Sequence, residues 1–196
     1  MNKYNPNIHH RRSIRLKGYD YSQAGLYFIT ICTQNRKHLF GTIENGEMIL
    51  NDAGKMVKNE WLALPKRFLN IKLHEYTVMP NHFHAILEIT VGGTTVGATV
   101  GATLVVAPDA VDPPKNKTVG DIIGAFKSIV TVNYIRGVKK SGWKPFNKRL
   151  WQRNYWESII RNEKSYHNRS EYIKNNPRNW DKDKFRHKEE RVIKDI

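Results

Sequence analysis

The sequence predicts an α+β fold in which helices pack against an antiparallel sheet. Residues 26–33 are rich in β-branched and aromatic side chains, which is typical of a central strand. Residues 71–79 and 82–89 also have strand-like composition and are separated only by a short turn, so we expect them to pair antiparallel. Apolar residues recur at helical spacing in residues 52–64 and 118–136, which predicts two core helices.

The composition indicates one basic domain. The chain has 196 residues, the size of an ordinary domain, and 39% hydrophobic residues, enough for one core. It has 33 Lys and Arg residues against 18 Asp and Glu residues, a formal net charge of +15. Such an excess is typical of a polyanion binder, and nucleic acid is the expected partner. The alternative is a basic protein without such a partner.

The apolar residues and the one cysteine predict a cytoplasmic protein with no membrane partner. Cys32 lies within an apolar run, so it is expected to be a core residue, and no internal disulfide can form. No apolar segment reaches the roughly 18 residues that span a bilayer. The N-terminus is polar and basic and lacks the apolar stretch of a secretory signal.

Local sequence signals predict the elements that precede residue 71. Residues 1–20 predict a basic arm that either contacts phosphates or is a solvated tail. An Asn-Gly pair at residues 45–46 predicts a β-hairpin turn. Asn51 or Asp52 is expected to cap the first helix, which should end at Pro65. Its Trp61 is interpreted as a core anchor.

The elements after the strand pair are a loop, a second helix and a basic segment. Residues 91–117 contain a repeated Thr-Val-Gly-Ala and several prolines, which indicates a linker or flexible loop. Thr118 is expected to open the second helix and Gly137 to end it. Residues 139–154 interleave cations with aromatic residues. They either contact nucleic acid through stacking and phosphate binding, or their aromatic side chains fold back onto the core.

Two histidines mark a candidate metal site. His82 and His84 are two residues apart on a predicted strand, so both point to one face while Phe83 points to the other. Two neutral imidazoles on one face can supply half of the ligands of a divalent ion. Alternatively, the two histidines occur together by chance and bind no metal.

A last helix places two further polar groups together. It is predicted to start near Asn162 and to end at Asn176, before Pro177. Tyr172 and Asn176 are four residues apart and share one face, which pairs a nucleophile with a neutral oxygen ligand. The alternative for Tyr172 is a half-buried packing residue. Residues 178–196 alternate in charge sign and predict a solvated extension.

Three blocks of the chain together carry a specific resemblance. They lie at residues 78–84, 151–162 and 171–177, with further similarity at residues 11–16 and 26–33. In this order and spacing they resemble the HUH endonucleases, and more narrowly the single-tyrosine HUH transposases of the REP-associated tyrosine transposase (RAYT)-like branch. The chain departs from that pattern at Ser158, where relatives often have histidine.

The resemblance implies a ferredoxin-like core: an antiparallel sheet with helices on one face and the tyrosine-bearing helix across the site. It implies a catalytic domain at residues 21–180 that contains the 91–117 insert, followed by a charged extension at residues 181–196. Tyr172 would be the catalytic nucleophile. His82, His84 and Asn176 would bind a divalent metal, Mg or Mn. DNA contacts are expected at Arg11, Arg12, Arg15, Lys144, Lys148, Arg149, Trp151, Arg153 and Arg161.

The implied activity is a metal-dependent single-stranded DNA endonuclease and strand transferase. The resemblance implies action on single-stranded or hairpin DNA through a 5′-phosphotyrosine intermediate, and it leaves both a monomer and a homodimer open. Two alternatives stay open. One is a catalytically silent module that binds hairpin DNA or RNA, and the other is a phosphodiesterase that uses water while Tyr172 is structural.

Overall fold

The computed structural model describes residues 18–91 and 117–186. The predicted arm up to residue 17, with Arg11, Arg12 and Arg15, lies outside the described residues. So do residues 92–116 of the predicted insert and residues 187–196 of the predicted extension.

The described residues form six strands and three α-helices. The strands are β1 (Gly25–Cys32), β2 (Gly41–Glu44), β3 (Glu47–Leu50), β4 (Ile71–Val78), β5 (His82–Ile89) and β6 (Trp156–Ile160). The helices are α1 (Asp52–Leu62), α2 (Val119–Ser141) and α3 (Glu163–Asn175). Within these residues, no helix is both long and apolar enough to cross a membrane.

The sheet has ferredoxin-like topology. Strands β4, β5, β1 and β6 lie side by side in that order, and every pair is antiparallel. The chain visits them as β1-α1-β4-β5-α2-β6, which is the βαββαβ order of that fold. The β2–β3 hairpin is inserted between β1 and α1. The predicted α+β class, the central position of β1 and the antiparallel β4–β5 pair are confirmed.

The two faces of the sheet have different roles. Helices α1 and α2 cover one face, where the main core includes Ile29, Ile31 and Phe83. Trp61 is fully buried there, with its ring centroid 4.9 Å from that of Phe83, so its prediction as a core anchor is confirmed. Helix α3 packs on the opposite face over a smaller apolar cluster. That cluster contains Phe28, Ile86, Ile160 and Ile173.

The local signals near the hairpin give the expected structure. Asn45 and Gly46 both have positive φ, at 52° and 77°, as a two-residue turn between twisted strands requires. The side chain of Asn51 accepts a hydrogen bond from the amide of Gly54 and caps α1. Helix α1 itself ends at Leu62, and its chain continues into a short 3₁₀ turn at Leu64–Lys66.

The predicted end of α2 at Gly137 is wrong. Helix α2 continues to Ser141 and is capped by Gly142, whose φ of 66° is the left-handed conformation that favours glycine. Gly137 has a different reason to lack a side chain. A Cβ there would lie 2.2 Å from the ring of Trp143, which packs directly on the helix backbone.

The fourth sheet strand, β6, was not predicted. Its segment contains two adjacent polar residues, Glu157 and Ser158, which break the alternation that signals a strand. The strand forms because β1 offers a free edge. It pairs along β1 from Leu26 opposite Ile160 to Thr30 opposite Trp156.

Candidate metal and tyrosine site

The two histidines of β5 lie side by side on the face that α3 covers. Their ring centroids are 4.6 Å apart, and both side chains are buried. Asn81 Nδ2 donates to two carbonyl groups, so its Oδ1 must accept, and His82 Nδ1 lies 2.8 Å from that oxygen. His82 therefore carries its proton on Nδ1 and has a free lone pair on Nε2. His84 Nδ1 lies 2.8 Å from Thr30 Oγ1.

Asp183 completes a group that can hold a metal ion. Its Oδ2 lies 3.8 Å from His82 Nε2, and both side chains are almost completely buried. His82, His84 and Asp183 each offer one ligand atom, and these three atoms lie within 4.8 Å of one another. Imidazole nitrogen and carboxylate oxygen are suitable ligands for divalent cations.

Two buried atoms, one in this group and one beside it, have no hydrogen-bond partner among the described residues. They are His82 Nε2 and Asn176 Oδ1, and both can present lone pairs. Asn176 is 2% exposed, and its Nδ2 donates to Asp183 Oδ2 at 2.9 Å. Buried acceptors without donors are unfavourable unless a cation or water satisfies them, so this donor set fits a divalent metal. The role of Asn176 as a direct ligand stays a prediction.

Burial keeps both imidazoles neutral. It lowers the pKa of His82 to about 4, although the nearby Asp183 carboxylate acts in the opposite direction. Burial also lowers the pKa of His84 well below its ordinary value, and proximity to His82 adds to this. At neutral pH neither ring is cationic, so both can ligate a metal.

Tyr172 lies directly against this group. Its hydroxyl is 3.4 Å from His84 Nε2, and it remains 37% exposed towards a neighbouring cavity. Burial raises the pKa of Tyr172, and the negative charge of Asp183 raises it further, while Asn176 and Arg169 lower it. The phenol is therefore protonated at neutral pH and needs activation to act as a nucleophile.

A cavity of about 780 Å³ opens beside the tyrosine. Cations and amides line it together with the site residues. Those outside the metal group include Gln152, Asn154, Tyr155, Trp156, Arg169, Lys182 and Lys184. Cys32 also lines it and is buried as predicted, and burial raises the pKa of its thiol to about 11. The cavity is large enough to admit part of a nucleic-acid strand, with cations and amides among its lining groups.

The predicted DNA contact at Trp151 is wrong. Trp151 is 4% exposed, and its ring centroid lies 5.2 Å from that of Phe40, so it cannot stack on a base. Trp143 and Phe146 pack against Tyr134. The alternative, in which these aromatic side chains fold back onto the core, therefore holds for residues 143–151. The predicted cations Lys144, Lys148, Arg149, Arg153 and Arg161 are exposed, and their DNA contacts stay predictions.

Asp183 is a site residue that the sequence did not identify. The solvated extension predicted for residues 178–196 is wrong for residues 180–186, which fold back over the histidines. Trp180 is 8% exposed, and the ring of Phe185 lies 5.0 Å from that of His82. One feature of the sequence could have indicated that this segment is packed: two large aromatic residues, Trp180 and Phe185, lie on either side of Asp183 in an otherwise charged segment. The predicted domain limits at residues 21 and 180 stay predictions.

Comparisons with known proteins find a sequence relative and several similar solved structures, two of which are described below. No protein-family model matches the chain. The chain is 43% identical over 191 residues to an "uncharacterized protein" of Haemophilus influenzae, and the match covers 93% of this chain and 97% of that protein. It resembles the structure of a REP-associated tyrosine transposase bound to a REP hairpin, with a TM-score of 0.48 and 18% identity. The match covers 90% of this chain and 73% of that chain. It also resembles a putative transposase from Deinococcus radiodurans, with a TM-score of 0.41 and 17% identity. That match covers 82% of this chain and 95% of the other chain.

Proposed function

We propose that this chain, which belongs to the same family as the Haemophilus influenzae protein, is a metal-dependent endonuclease and strand transferase for single-stranded DNA. One observation carries the proposal. The Tyr172 hydroxyl lies 3.4 Å from His84 Nε2, at the edge of a buried group of three potential ligands. A nucleophile beside a cation site is the arrangement that phosphoryl transfer needs.

His82, His84 and Asp183 would hold the metal, with Asn176 as a further oxygen ligand. The family resemblance favours Mg or Mn. The carboxylate and amide oxygens suit these hard cations, whereas the two imidazoles bind them weakly, so DNA oxygens and water would complete the shell. When bound, the ion would neutralise negative charge on the phosphate and help to orient the scissile bond. Asn81 and Thr30 would fix the orientation of the two imidazoles.

Tyr172 would attack the phosphorus of the scissile phosphodiester. A bond forms between the phenolic oxygen and phosphorus while the bond from phosphorus to the 3′-oxygen breaks. Overall, the phenolic proton ends on the leaving 3′-oxygen, and the 5′ end of the cut strand remains on Tyr172. Arg169 lines the same cavity one helical turn earlier, so its guanidinium can contact a phosphate of the bound strand.

The phosphotyrosine linkage would allow joining as well as cutting. It retains the energy of the phosphodiester bond, so a 3′-hydroxyl can attack it and release Tyr172 without an external energy source. The net charge of +15 and the exposed cations near the cavity favour a polyanionic substrate. The sequence resemblance to single-tyrosine transposases supports hairpin-containing DNA as the substrate.

A cleavage assay tests the proposal. Purified protein is mixed with 3′-labelled hairpin DNA from the flanks of its own gene and with Mg or Mn, then analysed on a denaturing gel. We expect the label to shift to the size of the protein. Tyr172→Phe should reduce the adduct by at least about 1000-fold, as expected for loss of a nucleophile. Tyr166→Phe, on the same helix but hydrogen-bonded to Glu75 at the sheet edge, should still form it.

The other outcomes separate the alternatives. Cut DNA without an adduct would indicate water as the nucleophile. Binding without cutting would indicate a silent hairpin-binding module. Undiminished cutting in excess chelator would contradict the metal requirement.

A further inference from the structure

We propose that Trp156 forms a stacking subsite for one unpaired nucleobase of the strand whose phosphate lies at Tyr172. The inference rests on the proposed function and extends it by stating how the strand is held. Trp156 begins β6, an edge strand of the sheet, and is 51% exposed. Its indole is exposed at a cavity that amide and cationic side chains also line, where a nucleobase can stack on it.

The strand register brings Trp156 into the same row as the site. His84 pairs with Thr30 on one side of β1, and Thr30 pairs with Trp156 on the other. Side chains of directly opposed residues point to the same face of a sheet. Two strand spacings separate Trp156 from His84, a distance of roughly 10 Å across the sheet. One strand of DNA can therefore contact both.

The cavity supplies the groups that recognise a single strand. Trp156 lines it with the amide side chains of Gln152 and Asn154 and with the cations Arg169 and Lys184. Aromatic faces stack on bases, amides bond to base edges, and cations hold phosphates. The base must be unpaired and unstacked, because in a duplex both of its faces are already covered.

The other tryptophans show that Trp156 is exceptional in this chain. Of the five tryptophans, four pack against protein side chains: Trp61, Trp143, Trp151 and Trp180. Trp156 belongs to neither apolar cluster of the described residues. Within the described part of the chain no apolar cluster holds the Trp156 ring, whereas a DNA strand in the cavity would cover its exposed face.

The test uses a double-mutant cycle between protein and DNA. Binding is measured by fluorescence anisotropy in the Tyr172→Phe background, so that no cutting occurs. The probes are hairpin oligonucleotides with single-stranded tails from the gene's own flanks, in which each tail nucleotide in turn is made abasic. Trp156→Ala should weaken binding of the intact probe about tenfold, the usual effect of losing one stacked base. Trp156→Phe should retain most of the affinity.

The decisive result is non-additivity at one tail position. In the Tyr172→Phe protein that keeps Trp156, an abasic site at this position should weaken binding about tenfold. In the protein that also carries Trp156→Ala, the same abasic site should cause no further loss of affinity. Leu69→Ala is the matched control, since Leu69 is 54% exposed and does not line the cavity. It should bind every probe normally.

Two results would overturn the subsite. Trp156→Ala could bind the intact probe as tightly as the parent, or its effect could add to that of the abasic site at every position. If the adduct still forms with Tyr172 intact, only the subsite fails. If the parent neither forms an adduct nor binds any probe, the proposed function fails and the subsite with it.

Discussion

At the scale of single residues, Asn81 is the best connected side chain of the site. Its Oδ1 accepts from His82, and its Nδ2 donates to the carbonyl of Arg36 at 3.0 Å and to that of Phe185 at 2.9 Å. The Phe185 contact anchors the segment that carries Asp183. The Asn81 amide therefore fixes the tautomer of His82. It also holds in place the segment that carries Asp183, the third candidate ligand.

Asn81→Ala should weaken metal binding. Loss of a partner that orients a ligating histidine typically lowers metal affinity about 10- to 100-fold. Titration with Mn, monitored by electron paramagnetic resonance, measures the affinity directly. Asn175→Ala is the control, because among the described residues its side chain bonds only to Glu171 of the same helix. Equal affinities for Asn81→Ala and the unmodified protein would contradict the positioning role.

At the scale of elements, α2 shows that a glycine within a helical pattern need not end the helix. Gly137 is buried inside α2, where Trp143 returns after the helix and covers its backbone. That close approach is a tertiary contact made after the chain has turned at Gly142. The helix pays the small propensity cost of glycine and gains the packing of an indole.

Gly137→Ala should destabilise the protein by on the order of 1–3 kcal/mol, because the new methyl group overlaps the Trp143 ring. Gly124→Ala is a matched control in the same helix, since a Cβ there would have no atom of residues 18–91 or 117–186 within 4 Å. It should be neutral or stabilise by up to about 1 kcal/mol through helix propensity. Urea unfolding measures both. A stabilising Gly137→Ala would show that Trp143 can move away without loss.

At the scale of the whole molecule, the sheet separates an apolar core from a site with buried polar groups. Helices α1 and α2 pack over one face and form the main core, while α3 and residues 180–186 cover the other face and enclose two neutral histidines. Burying these imidazoles couples global stability to pH, because the unfolded chain can protonate them and the folded chain resists it.

The free energy of unfolding should fall as the pH is lowered from about 6.5 to about 4. A histidine in the unfolded chain has a pKa of about 6.5, whereas burial lowers the pKa of His82 in the folded protein to about 4. Between these values the unfolded chain binds more protons, so stability rises with pH, by on the order of 3 kcal/mol for His82. Urea unfolding with chelator at several pH values measures this. His82→Gln should have a shallower slope, and equal slopes would contradict the assignment.

Local rules were sufficient for much of the fold. The hairpin at Asn45 and Gly46 and the cap at Asn51 depend on interactions within a few residues, so the sequence specified them. The shared face of His82 and His84 follows from strand alternation alone. The spacing of Tyr172 and Asn176 follows equally from the period of a helix, and both line the same cavity.

The sequence by itself determined the α+β class, the paired histidines and the helix that carries the tyrosine, because these depend on local periodicity and capping. Only the tertiary structure decided that Asp183 meets His82, about a hundred residues earlier, since no periodicity links segments so far apart. It also decided that Trp151 turns inward and Trp156 outward. Alternation predicts which side chains share a face, but the elements packed against that face determine whether it is buried or open to a partner.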